Sequence, residues 1–369
     1  MIPVNTPVLG QREKELLIRC IDTGWISSEG PFVAEFEEAT ARAVNRRFGV
    51  AVSSGSAALD VAVATLGIGP GDEVIMPAFT IISCAAAVVR AGAVPVLVDA
   101  DPVTWNMDAA RIEEKITPRT RAVMAVHIYG LPVDMDPVLA LAEKYGLAVI
   151  EDAAEVLGQT YRGRPCGSFG DVSVLSFYPN KHITTGEGGM VLTDDAALAE
   201  RARSYRNLCF QPRQRFVHEQ LGWNYRMTNL QAAVGLAQLE RLSDTVRRKR
   251  ETGRRYAENL TDLEGLQLPC DRTDAAENIY WVFGVVLKDG LEIDAGDAMA
   301  RLAAREIGTR PFFWPMHQQP VFEKMGLFRG ESYPVAERLA RRGFYLPSGL
   351  ALNEAQIDTV CRALGEVMG

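Results

Sequence analysis

The sequence predicts an α/β fold with an open, mostly parallel sheet, and three observations support this prediction. Between residues 50 and 195, short apolar runs rich in Val and Ile alternate with helix-like stretches. Most of these runs are apolar throughout, which is typical of strands covered by helices on both faces. Small polar clusters follow several runs, at the sheet edge where open α/β sheets bind their ligands.

Each element is assigned from its own pattern, in chain order. Seven short apolar runs are predicted as strands, at residues 49–53, 73–78, 94–99, 121–127, 148–152, 172–178 and 190–193. Between the earlier runs, helical patterns predict helices at 57–66, 83–91, 109–116 and 137–145. This alternation of the two element types indicates a sheet covered by helices.

The second half of the chain has a different pattern. A long helix is predicted over 229–260, and its basic run at 247–255 is interpreted as a solvated face. Beyond it, a strand at 280–287, a helix at 295–305 and a C-terminal helix indicate an α+β arrangement. We therefore expect an N-terminal arm and a large domain over 1–250, and a smaller C-terminal domain over 251–369.

Composition and charge exclude several classes of protein. The chain has 369 residues, and its 39 Lys and Arg against 47 Asp and Glu give a net charge of −8. An acidic chain has no overall electrostatic reason to bind nucleic acid or an anionic membrane surface. No apolar run approaches the roughly 20 residues that cross a bilayer, and the N-terminus does not read as a signal peptide. The expected partners are small molecules and copies of the chain itself.

The spacing of the cysteines points to the cellular compartment. The six cysteines are scattered along the chain, and none forms a C-x-x-C pair. Such spacing indicates neither a metal site nor a disulfide framework. Because free thiols suit a reducing compartment, we expect a cytoplasmic protein without a bound metal.

The turn after the first predicted strand is a candidate phosphate site. It reads SSGSAAL, so that Gly55 and Ser56 stand where a strand ends and a helix begins. Free backbone N–H groups and the positive end of the helix would favour a phosphate there. An ordinary helix N-cap explains the same residues equally well when they are considered alone.

Two further segments contribute a carboxylate and an amine. Asp152 ends a buried strand, where a carboxylate is costly without a partner, and a protonated pyridine nitrogen is one cation that would pair with it. A structural salt bridge or a helix cap is the alternative. Lys181 follows another apolar strand, in a loop dense in hydroxyls and glycines. A lysine held there can act as an amine nucleophile toward carbonyls, although an ordinary surface lysine is the simpler interpretation.

Taken together, the three features indicate one cofactor. Pyridoxal 5′-phosphate needs amides and hydroxyls for its phosphate, an anion for its ring nitrogen and a lysine for its aldehyde. A fourth segment, 222–229, mixes polar and aromatic side chains before the long helix and indicates a ligand or subunit contact, with Thr228 also suited to cap the helix.

Over essentially its whole length the sequence resembles the fold-type I, pyridoxal-phosphate-dependent sugar aminotransferases of the DegT/StrS family. The resemblance implies the fold-type I architecture, with a large domain that binds the cofactor and a smaller C-terminal domain. The motifs that carry it are TGWISSEGPFVAEFE, SSGSAAL, GPGDEVIMPAFT, VHIYG, VIEDAAE, SFYPNKHITTGEGGM, NYRMTNLQAAVGLAQLE and RPFFWPMH.

The resemblance also implies roles for the central residues. Lys181 would bind the cofactor covalently and later move a proton between the substrate carbon and the cofactor. Asp152 would pair with the pyridinium nitrogen, and Glu155 would lie near the phenolic oxygen. The phosphate would be held by Gly55, Ser56 and Ser176.

Two implied features concern the walls of the site. Asn224 would reach the cofactor phosphate of a neighbouring subunit, so that a homodimer would share its active sites. Family members often stack an aromatic residue on the cofactor ring, and here that position is Ile81. Either Ile81 covers the ring by apolar contact, or Phe79 is displaced to do so.

The implied reaction transfers the amino group of L-glutamate to a keto-sugar. Within the family, the sequence looks closest to the perosamine branch, which aminates C4 of GDP-4-keto-6-deoxymannose. Aminotransferases for an 8-oxo-3-deoxyoctulosonate look nearly as similar, and other UDP- or dTDP-linked 4-keto-6-deoxy sugars are further alternatives. The candidate residues for the sugar-nucleotide side are Trp25, Ser27, Ser28, His127, Arg310 and His317.

Two other functions compete with this interpretation. In a dehydratase branch of the same fold, a histidine replaces the cofactor-binding lysine, but Lys181 fills that position here. A non-catalytic regulator that kept the fold is the second alternative. The chain lacks a pair of helices with a basic face that would read DNA, and the retained lysine and acid are unexpected in an inactive scaffold.

Overall fold

The structure is a computed structural model that describes residues 1–211 and 213–368. Its α-helices are α1 (Gln11–Thr23), α2 (Pro31–Ala43), α3 (Gly55–Thr65), α4 (Ile82–Arg90), α5 (Met135–Tyr145), α6 (Ala196–Arg206), α7 (Asn229–Leu239), α8 (Leu242–Leu260), α9 (Ala295–Ala303), α10 (Pro320–Lys324), α11 (Pro334–Arg342) and α12 (Glu354–Met368). Its strands are β1 (Phe48–Val52), β2 (Glu73–Pro77), β3 (Val94–Val98), β4 (Thr120–Val126), β5 (Ala148–Asp152), β6 (Thr160–Tyr161), β7 (Arg164–Pro165), β8 (Val172–Ser176), β9 (Gly189–Thr193), β10 (Leu266–Gln267), β11 (Phe283–Leu287), β12 (Arg310–Pro311) and β13 (Gly343–Leu346).

A seven-stranded sheet of order β1-β9-β8-β5-β4-β2-β3 forms the centre of the molecule. The strands from β3 to β8 pair in parallel, whereas β9 runs antiparallel between β8 and β1. The predicted α/β fold with a mostly parallel sheet is therefore confirmed. Because β1 and the parallel strands all point the same way, their carboxyl ends gather at one edge.

Two apolar layers cover the sheet, one on each face. In β1, Val50 and Val52 belong to a buried cluster shared with α3 and α4, whereas Ala51 belongs to a second cluster shared with α1, α2 and α7. The same alternation continues in β5, where Ile150 joins the first cluster and Val149 the second. Burial on both faces explains why the strands are apolar throughout.

The predicted strands of this sheet are all present, with ends that differ by at most two residues, but one predicted helix is wrong. Residues 109–116 fold as two short 3₁₀ turns, Ala109–Arg111 and Glu113–Lys115. The chain is already extended at Ile116, shortly before Pro118, and the residue that precedes a proline is disfavoured in a helix. Too few residues remain for a stable α-helix.

The long helix predicted over 229–260 is also wrong, because it is broken at Arg241. Its first half, α7, is capped by Thr228, whose hydroxyl accepts a hydrogen bond from the Gln231 amide, as the sequence indicates. The Arg241 backbone leaves the helical region, and its side chain donates to the Val8 carbonyl at 2.7 Å and pairs with Glu13. Contacts with the N-terminal arm therefore fix the turn between α7 and α8.

A four-stranded sheet of order β10-β11-β13-β12 follows later in the chain. It packs with α8, α9 and α12 around a third apolar core. The predicted domain change near residue 250 lies inside α8 and stays a prediction. Among the described residues, no helix is both long and apolar enough to cross a membrane.

The basic run at 247–255 is more than a solvated face, so that interpretation is corrected. Lys249 is only 2% exposed and donates to the carbonyls of Trp281 and Ser348. Arg255 binds Asp358 through two of its nitrogens. One side of α8 therefore packs against later parts of the chain, including α12, and these two charged side chains lie on that side.

Gly235 provides a test of the packing between α7 and α2. A Cβ at this position would lie 2.6 Å from Phe36 Cζ and 2.8 Å from Thr185 Cγ2. Overpacking of this kind costs about 1–3 kcal/mol, so we expect Gly235→Ala to lower the free energy of unfolding by about that amount. Urea denaturation followed by circular dichroism measures the change.

Gly365→Ala is the matched control, because nothing lies within 4 Å of the Cβ it would add in α12. Replacing a helical glycine by alanine stabilises a helix by about 0.5–1 kcal/mol. Equal effects of the two substitutions would contradict the close contact between α7 and α2.

Candidate active site

A cavity of about 370 Å³ opens at the carboxyl ends of β1, β5 and β8. Its walls come from both halves of the chain, since Trp281, Phe313 and Tyr345 line it together with residues of the large sheet. The predicted site residues that the structure brings together here are Gly55, Ser56, Ile81, Asp152, Glu155, Ser176 and Lys181.

One end of the cavity is formed by the start of α3. The Ser54 side chain caps the helix by accepting a hydrogen bond from the Ala57 amide at 3.1 Å, so that the residue serves as an N-cap. Gly55 lies against Ser176, and a Cβ added to it would fall 2.7 Å from the Ser176 Cβ. The Ser56 and Ser83 hydroxyls lie 2.7 Å apart at the same end. A helix N-terminus with these four serine hydroxyls around it is suited to a phosphate.

The Asp152 carboxylate lies deeper, at the end of β5, and the residue is 3% exposed. Its Oδ1 accepts a hydrogen bond from the Ala154 amide at 3.0 Å, and its Oδ2 accepts one from the Cys84 thiol at 3.3 Å. Neither of these donors carries a positive charge. Burial raises the pKa of Asp152, so a cationic ligand atom beside it would stabilise the ionised form.

Lys181 and Glu155 form a buried pair on the cavity wall. The Lys181 Nζ lies 3.4 Å from Glu155 Oε1, while the other oxygen of Glu155 accepts a hydrogen bond from the Tyr129 amide at 2.9 Å. Burial raises the pKa of Glu155 to about 7 and lowers the pKa of Lys181. The lysine is therefore closer to a neutral, nucleophilic amine than a surface lysine is.

Several lining residues were not identifiable from local sequence. Trp281, Phe313 and Tyr345 stand 100 to 164 positions after Lys181, on segments of the second half of the chain. Asn180, which precedes the lysine, also lines the cavity, and its Oδ1 is buried without a hydrogen-bond partner among the described residues. The sequence cannot show that this oxygen lacks a partner, because that depends on how the loop folds.

The two alternatives for the ring-covering residue occupy different environments. Ile81 caps α4 and lines the cavity with 40% of its surface exposed. Phe79 is fully buried and packs against Tyr129, Phe312 and Phe313, with ring centroids about 6 Å apart. The suggestion that Phe79 moves to cover the cofactor is therefore corrected, because the aromatic cluster already holds this ring.

His127 does not line the cavity, so its predicted contact with the sugar nucleotide is corrected. It is fully buried, its Nε2 lies 3.0 Å from Glu151 Oε1, and its Nδ1 accepts a hydrogen bond from the Val133 amide. Glu151 also accepts hydrogen bonds from two loop amides, those of Gly167 and Phe169. His127, Glu151 and Cys166 lie close enough together to ligate a metal ion. The His127 and Glu151 side chains, however, already have hydrogen-bond partners within the protein.

The other predicted substrate residues lie outside the cavity of the single chain. His317 binds Glu337 at 3.0 Å and lines a different surface cavity. Arg310 is exposed on β12, where its guanidinium donates to the Thr309 carbonyl. Trp25 is exposed, and its carbonyl accepts a hydrogen bond from the Asn229 side chain.

The remaining candidates lie at a second, arginine-rich cavity or beside it. Ser27 and Ser28 line a cavity of about 500 Å³ together with Arg203, Arg206 and Arg226. Asn224 is exposed on the segment before Arg226, and its backbone pairs with that of Asn207. None of these side chains reaches the Lys181 cavity of its own chain, so their predicted roles stay predictions.

Comparison with known proteins identifies the family. The chain matches the model of the DegT/DnrJ/EryC1/StrS aminotransferase family over residues 7–365. The chain belongs to this family. It is 42% identical to a GDP-perosamine synthase of Caulobacter vibrioides, over 100% of this chain and 98% of the relative, and 40% identical to one of Escherichia coli O157:H7, over 99% and 98%.

A solved structure supports the same assignment. The aminotransferase TlmJ from Streptoalloteichus hindustanus superimposes with a TM-score of 0.92 at 32% identity, and the match covers 100% of this chain and 98% of that one. The fold-type I architecture and the aminotransferase class are therefore confirmed. The cofactor of this class is pyridoxal 5′-phosphate.

The cavity of this aminotransferase fits that cofactor by its own chemistry. The start of α3 offers amides and hydroxyls to a phosphate, and the close approach of Gly55 to Ser176 leaves no room for a side chain at position 55. Asp152 offers a buried anion without a cationic hydrogen-bond partner. Lys181 offers an amine of lowered pKa, and Asn180 an unpaired acceptor.

The phosphate site can be tested with Gly55→Ala. The added Cβ would meet Ser176, so we expect the affinity for pyridoxal 5′-phosphate to fall by about tenfold or more, which corresponds to about 1.4 kcal/mol. Titration of the apoprotein, followed by quenching of tryptophan fluorescence, measures the dissociation constant. Gly69→Ala is the control, because the nearest atom to its added Cβ is 3.8 Å away. Unchanged affinity in Gly55→Ala would contradict this location of the phosphate.

Proposed function

We propose that this chain transfers the amino group of L-glutamate to the C4 ketone of GDP-4-keto-6-deoxymannose, as a perosamine-type aminotransferase. The observation that carries the reaction type is the single cavity in which Lys181, Asp152 and the start of α3 meet. Support for the sugar comes from the similarity to GDP-perosamine synthases, which spans the whole chain.

When bound, pyridoxal 5′-phosphate supplies the aldehyde that accepts the amino group and the ring that withdraws electrons from the substrate carbon. Lys181 would be the residue joined to it. Asp152 would hold the proton on the ring nitrogen, since an anion beside a buried cation favours the charged form. The phosphate would be held by Gly55, Ser56 and Ser176.

Lys181 is also the group placed to move a proton at the substrate carbon. Its burial lowers its pKa, which increases the fraction of the neutral amine that is able to accept a proton. Glu155, whose pKa lies at about 7, is within hydrogen-bonding reach of this amine and can share that proton. The apolar walls formed by Ile81, Trp281 and Phe313 limit the access of water to these groups.

The proposal includes a homodimer in which two chains build each active site. Ile18, Ile21, Trp25 and Ile26 are exposed around the end of α1, and an apolar patch of this kind favours contact with another copy. The arginine-rich cavity with Ser27 and Ser28 lies beside this patch in sequence and would face the nucleotide of the partner's substrate. Asn224 would reach the partner's cofactor phosphate.

A substrate panel tests the proposed sugar. We expect the purified enzyme to release 2-oxoglutarate from L-glutamate with GDP-4-keto-6-deoxymannose, and not with UDP- or dTDP-linked 4-keto-6-deoxy sugars or an 8-oxo-3-deoxyoctulosonate. A coupled assay of 2-oxoglutarate measures the turnover. Turnover with another sugar of the panel alone would support the aminotransferase reaction but contradict the proposed sugar.

The lysine assignment is tested in the same assay. Because Lys181 is both the attachment point and the proton carrier, we expect Lys181→Ala to lower turnover by at least about 10³-fold. Lys144→Ala is the control, since Lys144 is exposed and pairs only with surface groups around Glu113. Near-normal turnover by Lys181→Ala would contradict the mechanism.

A further inference from the structure

The amine of Lys181 lies against the face of a tryptophan from the second half of the chain. Its Nζ is 3.6 Å from the centroid of the Trp281 ring, and Trp281 is only 4% exposed. On another side the same amine lies 3.4 Å from Glu155 Oε1. The free amine is thus held between a carboxylate and an aromatic face.

Trp281 is fixed in this position by its own hydrogen bonds. The indole N–H donates to the Asn180 carbonyl at 2.8 Å, so the ring is attached to the residue that precedes Lys181. The Trp281 carbonyl accepts a hydrogen bond at 2.8 Å from the buried ammonium of Lys249, which also binds the Ser348 carbonyl. The ring and the lysine loop are therefore held together as one unit.

The backbone around Trp281 is equally constrained. A Cβ on Gly130 would fall 2.6 Å from the Trp281 nitrogen, and a Cβ on Gly253 would fall 2.3 Å from the ring of Tyr280. Tyr280 itself has a positive φ of 49°, and its amide donates to the Asn278 side chain. Such close packing leaves the indole little freedom to leave the amine.

We propose that the face of Trp281, together with Glu155, receives the Lys181 ammonium whenever this lysine is not joined to the cofactor. An aromatic face attracts a cation within about 6 Å, most strongly where water is excluded. The inference rests on the proposed function, because a transamination cycle releases this lysine in each half. Trp281 is a positioning residue that acts through Lys181.

The other groups around the Lys181 amine have opposing effects on its protonation. Glu155, Asp152 and the Cys84 thiol favour its protonated form electrostatically, while burial opposes that form. Lys249, with a pKa of about 7, and His182, whose pKa is lowered well below its usual value by burial, add no negative charge. The Tyr345 hydroxyl lines the same cavity, and its pKa of about 12 keeps it neutral. The indole face therefore adds to the attraction of the two carboxylates, and it contacts the amine directly at 3.6 Å.

Competitive labelling with acetic anhydride tests this proposal. The full-length chain is saturated with pyridoxamine 5′-phosphate, which leaves the lysine amine free, and acetylation of Lys181 is followed by mass spectrometry as a function of pH. Loss of a cation–π contact corresponds to about one pH unit. We therefore expect Trp281→Leu to lower the pH midpoint of Lys181 labelling by about one unit. Because Trp281→Phe keeps an aromatic face, we expect its midpoint to lie close to that of the wild type.

Trp105→Leu is the matched control, because Trp105 is equally buried in the neighbouring aromatic cluster and contacts Tyr129 and Phe312. It should lower the thermal midpoint without moving the labelling midpoint. An unshifted midpoint in Trp281→Leu, an equal shift in Trp105→Leu, or no labelling of Lys181 at any pH would overturn the proposal. Conversion of the wild-type cofactor by L-glutamate is followed separately by absorbance, so that failure of the proposed function is recognised independently.

Discussion

The Asp152 carboxylate lies at the end of a strand that is covered on both faces, and its two hydrogen-bond donors, the Ala154 amide and the Cys84 thiol, are both neutral. An ionised carboxylate in such a place is unfavourable unless a cation joins it. The rest of the cavity supplies what a cofactor with a basic ring nitrogen needs. The site is therefore organised around a buried carboxylate whose cationic partner comes from the ligand.

A second constraint is the close approach of α3 to the end of β8. The helix begins at a glycine because a side chain there would collide with Ser176, and this contact brings the helix N-terminus to the cavity. The antiparallel strand β9 lies beside it, and a Cβ on Gly189 would fall 2.3 Å from the Ser54 carbonyl. The small residues on both sides thus let the backbone at the start of α3 reach the phosphate end of the cavity, beside the serine hydroxyls.

The sequence was informative wherever the signal was local. Asp152 ends one buried strand, and the turn at Gly55 and the loop that carries Lys181 follow two others. Strands that point the same way bring their carboxyl ends to one edge of the sheet. The contributions of Trp281 and Tyr345 were not predictable, because their positions depend on how the second sheet packs against the first. The environment of His127 was not predictable for a related reason, because the histidine pairs with Glu151, and the Glu151 carboxylate also accepts hydrogen bonds from the 167–169 loop. The break at Arg241 depends on the N-terminal arm, more than 200 residues away in sequence.

The half-reaction with L-glutamate tests the role of the buried carboxylate most directly. The holoenzyme is mixed with L-glutamate in a stopped-flow spectrophotometer, and the change in cofactor absorbance is compared between the wild type and Asp152→Asn. Removing the anion that holds the ring proton should slow this step by about 10²-fold or more while the cofactor stays bound. A rate within a few-fold of the wild type, at equal cofactor content, would contradict the account.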